Sequence, residues 1–200
     1  MAKPDRRSEI LDGFDALVDR YGVEKVSVHE VAAEVGISVG TLYNEFGSKN
    51  DMVESAADRL RDRVIAGADG ASAIAGGSAE TALRALILGW VRALMDLPHG
   101  RRFLLFRSLA PRGRSGLSRA YVAGRDVFRA RLAERIAAVL TRGVGDGTFA
   151  VDDIGETADR LVDAFTEYWP MPSLLDREPE DVMRRAGGML ELLLRGLRTR

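Results

Sequence analysis

The chain has 200 residues, 46% apolar and 30% charged, enough apolar surface for one or two folded domains and too much for a disordered chain. It has no cysteine and only two histidines, His29 and His99, which excludes disulfides, thiolate metal sites and cysteine nucleophiles and leaves little for a histidine metal site or triad. With 29 basic and 30 acidic residues the net charge is -1, so overall charge does not point to nucleic acid; with no apolar run of roughly 18 residues and no signal-like N-terminus, the expected setting is cytoplasmic, without a membrane.

The elements read as helices throughout. From Arg7 to Tyr21 the apolar residues Ile10, Leu11, Phe14, Leu17, Val18 and Tyr21 recur in steps of three and four, one buried face ended by Gly22. Ser27, with Glu30 three positions on, predicts a capping box for a second, two-turn helix carrying Val28, Val31, Ala32 and Val35 and stopped by Gly36. Ser38 is the expected N-cap of a third helix with Leu42, Tyr43 and Phe46, closed by Gly47. Ser48 caps a fourth through Met52, Val53, Ala56, Leu60 and Val64. Residues 66–79, rich in Gly, Ala and Ser, read as a loop or frayed helix end and as the clearest boundary in the chain.

Further helices are predicted over 80–97, 101–109, 117–142, 154–169 and 180–197, punctuated by prolines at 98, 111, 170, 172 and 179. No period-2 segment and no internal repeat is present, so the fold class is all-α. The expected domains are 4–64 and 65–200, about nine helices in all.

Residues 27–46 carry the functional signal. Two short helices meet at Val35-Gly36-Ile37-Ser38, with Ala32 and Ala33 small where the helices are expected to cross. This is the build of a helix-turn-helix, whose second helix enters a DNA major groove, although glycine-joined helix pairs also occur in ordinary bundles. The segment Val35-Gly-Ile-Ser-Val-Gly-Thr-Leu-Tyr-Asn-Glu-Phe-Gly-Ser-Lys-Asn-Asp-Met resembles the helix-turn-helix of the TetR family of bacterial transcriptional regulators, and Ile10 to Gly22 resembles that family's opening helix. The resemblance covers about residues 7–60. It implies a homodimeric repressor, not an enzyme, that binds a pseudo-palindromic double-stranded DNA operator and is released by a small molecule. No cofactor or metal is implied.

On that resemblance Tyr43 is a phosphate contact, against a plain reading as a packing aromatic. Lys49, at a helix start, suits a phosphate too. Ser27 and Ser38 are caps first and phosphate contacts second. Val39, Gly40, Thr41 and Asn44 form the groove-facing end, with Val39 and Thr41 against a thymine methyl, Asn44 at a base edge or phosphate, and Gly40 permitting close approach. The sequence departs from the family pattern at Val39, where a polar residue is common, and at Glu45, where an aromatic or histidine is. Residues 1–50 hold six basic and nine acidic side chains, a net of -3. A domain so charged must keep Asp12, Asp15, Asp19 and Glu24 away from the DNA face. The alternative is a helical adaptor whose helix-turn-helix no longer binds DNA.

Trp90, Phe103, Phe106, Tyr121, Phe128, Phe165 and Trp169 concentrate the aromatics in the second part. Singly each reads as core; together they are candidates to line a cavity for an apolar or amphipathic ligand. Arg101, Arg102, Arg107, Arg112 and Arg114 form a basic run beside them. Leu161, Val162 and Phe165, with Met183, Met189, Leu190, Leu193, Leu194 and Leu197, exceed one buried stripe. They make the last two helices the candidate dimer surface, with Gly187 and Gly188 permitting close approach.

Overall fold

The computed structural model describes residues 5–109, 119–166 and 177–198, and of these the side chains of all but 106–109, 119–123, 125 and 166. Nine helices lie in the described residues: α1 (Arg6–Tyr21), α2 (Val28–Val35), α3 (Val39–Phe46), α4 (Lys49–Ala75), α5 (Ala79–Met95), α6 (His99–Leu109), α7 (Arg119–Gly145), α8 (Ile154–Thr166) and α9 (Pro179–Leu197). The one non-helical pairing among them is an isolated bridge between Phe149 and Arg198.

The predicted caps are in place. Ser27 accepts from the Glu30 amide while the Glu30 carboxylate accepts from the Ser27 amide, the reciprocal capping box. Ser38, Ser48 and Ser78 each accept from the amide three residues on. Gly36 takes the left-handed conformation, φ 72° and ψ 37°, which a residue with a Cβ adopts reluctantly, and so turns the chain sharply from α2 into α3.

Three readings change. Residues 66–75 continue α4, and only 76–78 interrupt the chain before α5. The small residues there are a packing device: a Cβ at Gly67 would lie 2.7 Å from Ala93 Cβ, and one at Gly89 would lie 2.5 Å from Ala71 Cβ, so α4 and α5 run in close contact. A boundary at 64/65 therefore falls inside one continuous helix. Tyr21 is exposed, outside the α1 core face. Ala33 is exposed as well; the tight crossing of α1 and α2 is at Gly13, where a Cβ would sit 2.5 Å from Val35 Cγ2.

One apolar core runs the length of the molecule, from Ile10 and Phe14 through Leu42, Leu60, Leu83 and Trp90 to Leu140, Leu190 and Leu194, all buried. Helix α6 rests on α1 and α4. A Cβ at Gly100 would fall inside contact distance of the Val18 carbonyl oxygen, so α6 begins flush against the α1 backbone. Beside it Arg101 forms a two-pronged pair with Asp19, at 3.0 and 2.7 Å. Asp15 is buried, with Arg59 of α4 at 2.6 Å, Arg101 at 3.7 Å and Arg63 at 4.0 Å. Burial pushes its carboxyl above the usual range, against the pull of Arg59, Arg101 and Arg63.

Candidate nucleic-acid interface

Helix α3 is eight residues long and buries two of them, Leu42 and Phe46. These fix which face is free. Gly40, Tyr43 and Asn44, at positions i, i+3 and i+4, lie on the opposite side and are exposed, Tyr43 by 44%. A Cβ at Gly40 would meet only Ser38 Oγ, at an ordinary 3.7 Å, so packing within the chain does not ask for glycine there.

The remaining predicted contacts are more constrained. The Thr41 hydroxyl is 2.9 Å from Ser38 Oγ and so belongs to the cap. Val39 is half-buried and packs against the core, which limits the surface it offers outward. Ser27 is half-buried in its capping box. The Lys49 ammonium donates to the Val26 carbonyl, tying the start of α4 to the chain entering α2. Two of its three N–H donors remain for another acceptor.

Glu45 is half-buried at the end of α3, and its carbonyl accepts from Arg7 Nη1 at 2.5 Å. The Arg7 guanidinium lies over the Phe46 ring, 4.2 Å from its centre, and its Nη2 donates to Ser55 Oγ at 2.7 Å. Sequence reading missed Arg7, because a lone arginine in a first helical turn carries no signal of what it meets 38 and 48 residues later.

The acidic residues of the N-terminal part are held elsewhere. Asp12 pairs with Arg59 at 2.7 Å, Asp19 with Arg101, and Glu34 with Arg20 at 2.7 Å. Part of the -3 over residues 1–50 is thus offset by Arg59 of α4 and Arg101 of α6.

Residues 10–56, which contain α2, α3, Lys49 and Ser55, match the family described as bacterial regulatory proteins, tetR family. Over that N-terminal segment the chain is similar to the TetR family.

An HTH-type transcriptional repressor, KstR, of Mycolicibacterium smegmatis is 36% identical over 97 residues, 48% of this chain and 47% of that protein. KstR of Mycobacterium tuberculosis is 35% identical over 97 residues, 48% of this chain and 44% of that one. The matched segment thus spans about half the length of these curated relatives. Among solved structures, the TetR family regulator PfmR of Thermus thermophilus has a TM-score of 0.64 at 23% identity, covering 99% of this chain and 100% of that one. A transcriptional regulator of Pseudomonas aeruginosa has a TM-score of 0.71 at 21% identity, covering 96% and 91%. The likeness in fold to both structures extends over the C-terminal part as well.

In that part Trp90, Phe128 and Phe165 are buried, with Trp90 and Phe128 edge to face at 6.4 Å, and Phe103 is half-buried against the core. The Phe106 and Tyr121 side chains and Trp169 lie outside the described residues, as do the side chains of Arg107, Arg112 and Arg114. Arg101 is committed to α1. A groove of about 460 Å³ lies elsewhere, between the end of α4, the start of α5 and α7, lined by small and aliphatic residues with Asp69, Arg135 and Arg142 and by no aromatic.

On the last two helices Leu161, Val162, Phe165, Leu190 and Leu194 are buried within the chain, and Met183, Met189, Leu193 and Leu197 pack partly against the core. The outward surplus is smaller than the composition suggests and centres on Leu192, 68% exposed, beside Gly187 and Gly188, whose Cβ positions face open space. Among the described residues no helix is long and apolar enough to cross a membrane, and no group of three His, Cys, Asp or Glu is placed to hold a metal.

Proposed function

We propose that the protein is a cytoplasmic DNA-binding transcriptional regulator, a repressor that binds a pseudo-palindromic operator as a homodimer. The observation that carries this is the exposed Gly40–Tyr43–Asn44 face of a capped α3, inside the segment that matches the family. Gly40 lets the helix lie close to a groove floor. Asn44 presents an amide able to pair with a base edge, with Val39 and Thr41 at the same end. The Tyr43 hydroxyl and the two free donors of Lys49 flank it for phosphate, joined by the hydroxyls of Ser38 and Ser27. Two-fold symmetry through α8 and α9, around Leu192, presents two such helices about one DNA turn or a multiple apart.

The adaptor reading rests on the acidic N-terminal part. The pairing of Asp12, Asp15, Asp19 and Glu34 with arginines weakens it, since those carboxylates are spent inside the chain. Release by an apolar or amphipathic small molecule bound among Trp90, Phe103, Phe106, Tyr121, Phe128, Phe165 and Trp169 completes the proposal. Its support is the aromatic content of that part.

The test is a footprint on the DNA upstream of the protein's own gene, followed by salt titration. A protected two-fold site is expected. Lys49→Ala should lower the salt slope by about one counterion, and Tyr43→Phe should weaken binding to all sequences alike. Folded protein that protects nothing at low salt favours the adaptor.

A further inference from the structure

Helix α3 is too short to be stable alone and is anchored by two buried side chains. Its first end is fixed by the Gly36 turn and the Ser38 cap. Its last carbonyls have no partner within the helix and carry its negative partial charge. Arg7 meets that end. One guanidinium donates to the Glu45 carbonyl at 2.5 Å, covers the Phe46 ring at 4.2 Å and donates to Ser55 Oγ at 2.7 Å, while Ser55 in turn donates to the Asp51 carbonyl at 2.8 Å. A single side chain of α1 therefore grips the end of α3 and the first turns of α4. The planar fork and flat face of arginine serve all three contacts together, which a lysine ammonium does not.

We propose that Arg7 is a positioning residue for DNA recognition: it sets the pose of α3 from behind, and places a positive charge beside the Glu45 end, without itself being a phosphate contact. The inference rests on the regulator reading above, so its test needs one readout that requires DNA and one that does not.

Full-length Arg7→Met, Arg7→Lys and Ser55→Ala proteins are compared with wild type. Operator affinity is measured across a salt series, and amide hydrogen exchange is measured on the free protein. Both Arg7 variants should bind about ten-fold more weakly with the wild-type salt slope, and Ser55→Ala about three-fold more weakly. Exchange should rise over residues 39–47 and stay unchanged over 60–75, beyond the gripped turns of α4. A slope lowered by about one counterion with unchanged exchange makes Arg7 a phosphate contact and overturns the proposal. Faster exchange with unchanged affinity reduces Arg7 to a stabilising residue and also overturns it. Should Arg7→Met fail to fold, Ser55→Ala, which removes one prong only, still reads the grip: faster exchange over 39–47 with weaker operator binding supports the proposal, and unchanged affinity overturns it. Wild-type protein that binds no DNA removes the regulator reading and the recognition role with it, while the exchange measurement still reports whether the grip exists.

Discussion

Helices α2 and α3 are eight residues each, bury three and two residues, and begin on serines that accept from the third amide onward. Helix α9 is nineteen residues, begins at Glu178 with no side-chain cap bond, and buries Val182, Ala186, Leu190 and Leu194 in a four-residue stripe. The candidate interface is thus held by directed contacts at helix ends, where a displacement of about an ångström matters. The C-terminal part is held by area buried along helix faces, which tolerates small displacements. Placement is the scarce quantity at one end of the molecule and stability at the other.

Comparing two fully buried leucines would break this contrast most directly. Leu42→Ala in α3 and Leu83→Ala in α5 should each cost about 3 kcal/mol. Below the unfolding range, Leu42→Ala should lose operator binding and Leu83→Ala should keep it; thermal melts and binding isotherms on the same preparations show this. Equal loss of binding in both would remove the distinction. Next, Gly100→Ala forces a methyl onto the Val18 carbonyl, a rigid backbone atom, and should cost about 2 kcal/mol by denaturant titration. Ser27→Ala removes one half of the capping box, with an expected loss of about 1 kcal/mol.

The smallest effect belongs to the surface ion pairs of the C-terminal part. Arg198 first, and Arg84 with it, hold the Glu80 carboxyl down to about 2 from its ordinary value of 4.5. A depressed carboxyl stabilises the fold above its unfolded value and loses that contribution as pH falls toward its folded one. The melting-temperature difference between wild type and Glu80→Gln should therefore be constant above about pH 5 and close between 4.5 and about 2.

What could be read from the sequence was local. The serine caps, the Gly36 turn and the apolar faces of α1 to α4 depend on residues within a few positions of one another. They were legible, as was the side of α3 that Leu42 and Phe46 leave free. The continuation of α4 through 66–75 was not. Its glycines argue against a helix by propensity; Gly67 is explained by the close approach of α5 at Ala93, whereas Gly70 faces open space. The Arg7 grip, the Lys49 bond to Val26 and the sequestration of Asp12, Asp15 and Asp19 join residues 23 to 82 positions apart. Side-chain type alone does not say which distant partner wins. The arginines that pair with these three acids come from α4 and α6.

The flush start of α6 has a consequence for exchanging parts between chains of this fold. Because α4 is shared by both ends of the molecule, a crossover placed inside it looks like a natural junction for a chimaera. Position 100, however, admits no side chain against Val18, and Arg101 must reach Asp19. A transplanted C-terminal part that lacks a glycine followed by an arginine at the start of its sixth helix should join to these N-terminal helices poorly, whatever its own stability. Restoring that dipeptide should rescue a failed graft.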